Sequence, residues 1–417
     1  MAAAPDYAGH FSDRNIPFGI ASSAAHPQHQ AATRIGNAVV FLADLAHAGT
    51  FASVAGLPGG VFAEATLNAF AALPQTVHTA VRTSVRALWR QGGDGGGPSR
   101  FPDNSVEDIS AVTLHLPVHV SDFADFSCSL EHVQNAGRII IQDGTPPPGF
   151  FHFPIAYQGR ASSVVVSGTP IERPVGQFRD RSTTPPTVVA GPSRQMDYEM
   201  EFAAVVGRPL PMRQRLATAA DADQHIFGFV VLNDWSARDI QGFEMVPLGP
   251  CNGKNAGTTI SPWIVTLDAL APYVVQAAPI TTTATVQPWL ADATRTTYDV
   301  QMQVAVQGTT VGSASVASLY WSLRQMLAHI VSAGAPLRTG DLLATGTVSE
   351  AGAGHHGCLL ESTEGGTQPV ALGDGSTRAF LQDGDVVRMT AVAGGADSGV
   401  GWGDCTGQLV AAREWSV

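Results

Sequence analysis

The sequence predicts a mixed, β-rich α+β protein of two domains, and three observations carry that expectation. The chain has 417 residues, long enough to bury more than one core. Its 44 glycines and 27 prolines suit many short strands joined by turns better than long helices. Its apolar residues fall in short runs bounded by turn residues, with few stretches at helical spacing.

Taken in order, residues 1–12 read as a loose polar tail, and 16–21, 34–36 and 38–42 as short strands. Residues 64–73 and 76–90 read as helices; in the second, Val77, Val81, Val85 and Leu88 form an apolar stripe at helical spacing. The glycine-rich run from Gly92 to Pro98 is a linker or loop tip. Leu114-His115-Leu116-Pro117 leads into the second part, which sets domains at 1–117 and 118–417. Residues 144–149, with three consecutive prolines, form a loop. Beyond it, 198–206 reads as a half-buried strand and 226–232 as a short buried one. Residues 283–306 and 313–316 read as strands, and 319–332 as a helix. Residues 338–347 give a turn, a buried strand and a Gly-Thr loop, and 381–387 carry a hairpin signal. There is no repeat and no nucleotide-binding glycine fingerprint.

Composition narrows the partners. A formal charge of −12, with 14% charged residues and no basic runs, argues against nucleic acid or an anionic membrane. Cys128, Cys251, Cys358 and Cys405 show neither CxxC spacing nor a disulfide framework, which fits a reducing compartment. The first residues lack the basic and apolar regions of a signal peptide, and no apolar run approaches membrane-spanning length. A soluble cytoplasmic protein is the expectation.

The chemistry concentrates between Met196 and Lys254. Glu199 and Glu201 lie two apart on a strand and so share a face, where two carboxylates repel unless a cation sits between them. Positions 234, 238 and 241 are spaced i, i+4, i+7, so on a helical turn Asp234, Arg238 and Gln241 form one stripe. An exposed, salt-bridged turn is the alternative. Of 23 basic residues only Lys254 is a lysine, held in Gly253-Lys254-Asn255-Ala256-Gly257. A tight turn needing a compact cation would keep Lys where the chain otherwise uses Arg; a chance leftover is the alternative. His132 follows Asp125 by seven, one helical face if that segment is helical. Asp125, Glu199, Glu201 and Asp234 together would make an all-oxygen cage selecting Mg²⁺, Ca²⁺ or Mn²⁺ over zinc, although E-x-E alone is common on solvated strands.

The ordered blocks Tyr157 to Pro170, Asp197-Tyr198-Glu199-Met200-Glu201, Leu232 to Gln241 and Val246-Pro247-Leu248-Gly249-Pro250 resemble the fumarylacetoacetate hydrolase family, from about residue 13 to 411. The resemblance implies an N-terminal SH3-like barrel, a larger β-roll domain with the site, and a homodimer. It implies a Mg²⁺- or Ca²⁺-dependent hydrolase that cleaves a carbon–carbon bond in a small β-diketone acid, as in tyrosine and phenylalanine catabolism. Its metal ligands fall on Asp125, Glu199, Glu201 and Asp234, with Lys254 and Thr258 beside them. Its general base falls on His132, oriented by Glu361, and its oxyanion-stabilising groups on Arg238, Gln241 and Lys254. Tyr157, Gln241 and Thr347 match substrate contacts. Three substrate-binding positions depart: a family Tyr is Ser127, a carboxylate-binding Arg falls on Ile141, and another Tyr is Met245. Arg138, one helical turn before Ile141, is a candidate replacement.

These departures leave the substrate open between fumarylacetoacetate and a less acidic, polyketide-like diketone. Decarboxylation, isomerisation or hydration of an oxo-acid on the same fold is a second reading, and a non-catalytic binding protein a third. His132 with Glu361 favours hydrolysis, since decarboxylation needs no water-activating base.

Overall fold

A computed structural model describes residues 6–93, 95–277 and 284–414. Three sheets lie in layers, and the middle one positions the site. Its strands are β6 (Phe123–Phe126), β7 (Ala156–Gln158), β8 (Val164–Val166), β11 (Met200–Val206), β12 (Ile226–Asp234), β13 (Thr258–Ile260) and β16 (Leu342–Ala344). They run in the order β7-β6-β16-β11-β12-β13-β8, and a short eighth strand, Val265–Thr266, pairs with β12.

The first layer is N-terminal: β1 (Phe18–Ser23), β2 (Gln30–Ile35), β3 (Ala38–Phe41), β4 (Val106–Asp108) and β5 (Val112–His115), ordered β4-β3-β2-β1-β5 and antiparallel throughout. Helix α1 (Gln75–Arg90) lays Val77, Val81 and Val85 into the same core, as its apolar spacing requires. The third layer holds β14 (Val300–Val306), β15 (Thr309–Ser315), β17 (Val386–Ala393) and β18 (Gly401–Val410), ordered β15-β14-β17-β18 and edged by Ile171–Glu172. β14 alternates cleanly, with Val300, Met302 and Val304 buried and Gln301 and Gln303 exposed.

The middle sheet is covered on both faces, so its strands read as continuous apolar runs rather than alternating ones. All seven residues of β11 are buried, where the sequence suggests a half-buried strand. Met200, Phe202, Ala204 and Val206 join the core shared with the third layer, while Ala203 and Val205 join the N-terminal core. Phe123 of β6, Val230 and Leu232 of β12, Leu342 and Ala344 of β16 and Ile260 of β13 also lie in that N-terminal core. The core therefore runs across residue 117 without a break.

Several expected elements change. In place of the loose tail expected at 1–12, the chain is anchored from residue 6: Phe11 is fully buried and its carbonyl accepts from Gly36 N. Residues 1–5 lie outside the described residues. The helix expected at 64–73 is one turn, Asn68–Ala71, and that at 319–332 is Leu323–Ile330, started by a Ser322–Gln325 capping box. The strand expected over 283–306 forms only at Thr296–Tyr298 and in β14, and residue 283 lies outside the described residues. The 381–387 signal makes a turn into β17, whose ladder partners are β14 and β18. All four cysteines are free, and no helix among the described residues is long and apolar enough to cross a membrane.

Candidate active site

The strand alternation that buries the N-terminal core also builds the acidic cage. Counting in twos from the buried Phe123, Ala203 and Leu232 reaches Asp125, Glu201 and Asp234, and one step past Glu201 reaches Glu199. Ladder register brings the strands together: Asp125 lies opposite Tyr157, Glu201 opposite Leu232, and Asp234 opposite Thr258. The face of the sheet that is apolar under the N-terminal layer is thus acidic where that apolar row ends. Carboxylate oxygens of Asp125, Glu199, Glu201 and Asp234 all lie within 4.8 Å of one another, and all four residues are buried.

Cations thread through this set. Arg238 donates from Nε to Asp197 at 2.9 Å and from Nη1 to Glu199 at 2.6 Å and Gln241 Oε1 at 3.2 Å; its Nη2 lies 2.8 Å from Asp197. Lys254 Nζ lies 2.5 Å from Glu199 and 2.6 Å from Asp234. Burial raises the Glu199 carboxyl, but Lys254 and Arg238 outweigh it and hold the group below its usual range. Asp125 and Glu201 go the other way: burial first, then repulsion from neighbouring carboxylates, pushes both well up. The Tyr157 hydroxyl lies 2.6 Å from Asp125 and 2.9 Å from Asp234. A phenol has one proton, so the second contact calls for a proton on a carboxyl, in keeping with Asp125.

A hard cation fits this donor set. Asp125 Oδ1 and both oxygens of Glu201 are buried without a hydrogen-bond donor among the described residues. Among the described residues, Asp125, Asp197, Glu199, Glu201 and Asp234 form ion pairs only with Arg238 and Lys254. Buried, unpaired carboxylate oxygens are costly, and a divalent ion satisfies oxygen and charge at once. Thr258 Oγ1 reaches Asp234 only weakly, at 3.5 Å.

Beside the cage, helix α2 (Leu130–Ile141), capped by Ser129, carries His132. A single turn, α4 (Leu359–Ser362), carries Glu361. His132 Nδ1 lies 2.7 Å from Glu361 Oε2; a carboxylate only accepts, so Nδ1 bears the proton and Nε2 is left as a base. Glu361 also accepts from Asn135 Nδ2 at 2.9 Å, Ser349 Oγ at 2.8 Å and the Cys358 thiol at 3.1 Å.

The structure brings together every expected ligand and the base pair, but not in the expected geometry. Asp125 lies on β6 and His132 on α2, so they share no helical face. Asp234 ends β12, while Arg238 and Gln241 lie on helix α3 (Arg238–Glu244), and Arg238 turns to Asp197 and Glu199 rather than to Asp234. Gly253 lets the Lys254 turn close on α3, since a Cβ there would lie 2.6 Å from the Gln241 backbone. Thr347 is buried, and Ser127 is half-buried just after β6.

Two grooves flank the site. One, of about 430 Å³, is bordered by Arg238, Gln241, Met245, Ile139 and Ile140; the other, of about 890 Å³, reaches Glu361 and Asn135. Ile141 borders neither and is 69% exposed, so the structure does not place it against a substrate. Sequence reasoning missed Asp197, Asn135, Ser349 and Cys358. Asp197 carried a readable signal, standing in the same two-residue alternation as Glu199 and Glu201; the other three are legible only as neighbours of Glu361.

A family model described as fumarylacetoacetase N-terminal matches residues 14–117, and one described as fumarylacetoacetate hydrolase C-terminal matches residues 122–410. The chain is 40% identical to a fumarylacetoacetase of Aspergillus fumigatus, 37% to that of Arabidopsis thaliana and 36% to that of Homo sapiens, covering 96% of both chains each time. Among solved structures, it is similar to a fumarylacetoacetate hydrolase from Exiguobacterium antarcticum, with a TM-score of 0.52 and 17% identity over 95% of this chain and 100% of that one. A 2-hydroxyhepta-2,4-diene-1,7-dioate isomerase from Mycobacterium marinum gives 0.50 and 16% over 96% and 100%; at such identities the likeness is one of fold. Fold, site and relatives define a hydrolase of carbon–carbon bonds in ketonic substances. The chain belongs to the fumarylacetoacetate hydrolase family.

Proposed function

We propose that this protein hydrolyses fumarylacetoacetate to fumarate and acetoacetate. The observation that carries the reading is the His132–Glu361 pair, 2.7 Å apart, beside a carboxylate cage with unpartnered oxygens. Asp125, Glu199, Glu201 and Asp234 would hold Mg²⁺ or Ca²⁺, with Thr258 and Lys254 adjoining. Bound there, such an ion would supply Lewis-acid polarisation of the substrate's carbonyl groups.

His132 Nε2 takes a proton from water while Glu361 holds the ring through Nδ1. The hydroxide oxygen adds to a carbonyl carbon of the substrate, and the carbonyl oxygen becomes an oxyanion. Arg238 donates from Nε and Nη1 to Asp197, Glu199 and Gln241 and so positions Glu199 and Gln241, while its buried Nη2 has no hydrogen-bond acceptor among the described residues. Arg238 Nη2, the Gln241 amide N–H and the remaining Lys254 proton are then the oxyanion donors, each worth on the order of 3 kcal/mol in the transition state. Collapse of the oxyanion breaks the carbon–carbon bond, and His132 returns its proton to the departing carbon. Tyr157 and Thr347 would contact the substrate, as the family resemblance implies, with Ser127 and Met245 at the substrate-binding positions that depart from the family.

The domains expected at 1–117 and 118–417, an SH3-like N-terminal barrel, a cytoplasmic homodimer and a place in tyrosine breakdown complete the proposal, on the strength of the family resemblance. The test is loss of fumarylacetoacetate absorbance with Mg²⁺ for wild type and His132→Ala. We expect turnover that falls by about 10²–10⁴-fold in the variant. No turnover by a metal-loaded wild type overturns the reading.

A further inference from the structure

The sequence leaves open whether the substrate is acidic, because the carboxylate-binding arginine expected on α2 is Ile141. The groove beside Arg238 answers from its opposite wall. That wall is the hairpin of β9 (Val175–Asp180) and β10 (Thr187–Pro192), and it brings Arg179 and Arg181 to the same groove as Gln241 and Met245.

The charges around the groove do not cancel locally. Arg238 is spent on Asp197 and Glu199, and Arg194 pairs with Asp180 at 2.9 Å. Asp239 accepts from Ser193 Oγ at 2.6 Å and Arg194 N at 2.7 Å, and the exposed Glu364 accepts from Gln368 at 2.8 Å. Neither Arg179 nor Arg181 has a carboxylate within 4.0 Å among the described residues. Arg179 is not loose, however: its guanidinium sits over the Phe243 ring at 5.2 Å, on α3 between Gln241 and Met245. Such stacking fixes the plane of the fork while leaving its N–H edge for an anion. Gln241 gives its Oε1 to Arg238, and its amide nitrogen has no acceptor among the described residues. Met245 and Ile140 add apolar lining to the same groove.

We infer that Arg179 and Arg181 form a carboxylate-binding subsite, which makes the substrate an acidic diketone rather than a neutral one and moves its anchor from α2 to the β9–β10 hairpin. The inference deepens the proposed hydrolase reading and rests on it for the diketone part only. Two guanidinium forks on one rim match a carboxylate bidentately, and the apolar lining accommodates the carbon chain that joins it to the reacting end.

The test compares wild type with the double variant Arg179→Gln/Arg181→Gln, and uses Arg413→Gln, at the far C-terminal end, as a surface control. KM and kcat are measured on fumarylacetoacetate and on a neutral β-diketone, and fumarate binding is measured by calorimetry. The expected result is a KM for the diacid raised about 10-fold or more with kcat within twofold, an unchanged kcat/KM for the neutral compound, and fumarate affinity weakened to match. Equal losses on both substrates, or unchanged fumarate binding, overturn the subsite. If wild type cleaves no diketone, the hydrolase reading fails; fumarate binding that still depends on the two arginines would then uphold the subsite by itself.

Discussion

Asp197 takes no place in the cage, yet it ties the cage to the base. It accepts from Arg238, and also from the N–H groups of Leu359 at 2.7 Å and Leu360 at 2.9 Å, at the start of the turn that carries Glu361. Burial raises its carboxyl, although Arg238 and these N–H groups pull against that rise. Removing its charge leaves Arg238 short of a partner in a buried place. Asp197→Asn is expected to lower kcat about 100-fold and to cost about 3 kcal/mol of stability, with Asp197→Glu recovering part of both. Steady-state kinetics and thermal unfolding of the two variants check this; a fully active Asp197→Asn would contradict it.

At the scale of elements, α2 and the short α4 matter because they hold the His132–Glu361 hydrogen bond across 229 residues of chain. Burial raises the Glu361 carboxyl, but the charge of His132 and hydrogen bonds from His132, Asn135 and Ser349 outweigh it, bringing the group from 4.5 down to about 2. An acid depressed in the folded state binds its proton first in the unfolded chain. Its stabilisation is therefore full above about pH 4.5 and is lost as pH falls toward 2, on the order of 3 kcal/mol in all. Unfolding midpoints of wild type and Glu361→Gln, followed from pH 5 to pH 3, should converge as the medium becomes acid. A constant gap would mean that the pair does not carry that charge. The helix expectations fared unevenly for a physical reason. The α1 stripe is self-contained, whereas α4 is four residues long and exists because Asp197 caps it.

At the scale of the molecule, the site lies where an apolar face shared by two layers gives way to carboxylates. That arrangement predicts a protein held back by its own charge until a cation binds. Millimolar Mg²⁺ or Ca²⁺ should raise the melting temperature of protein stripped with a chelator, by a free energy near 2.7 kcal/mol when the ion stands at about 100 times its Kd. Binding displaces protons from the raised carboxyls, so the gain should grow with pH. Differential scanning of Asp234→Asn, which removes one carboxylate of the proposed cation site, should show the gain abolished.

By itself, the sequence determined the alternation that puts Glu199 with Glu201 on one strand face, the compact cation at Lys254, the strand-rich composition and, through resemblance, the family. Those features depend on neighbours in the chain or on residue types, which any reader of the sequence can count. Tertiary structure decided the rest. Asp125 meets Asp234 and the two glutamates because β6, β16, β11 and β12 adopt one register, and register is set by the packing of both sheet faces. The partner of Arg238 was decided in the same way: helical spacing points it at Asp234, but Asp234 ends a strand, and the buried Asp197 and Glu199 lie where the guanidinium can reach them.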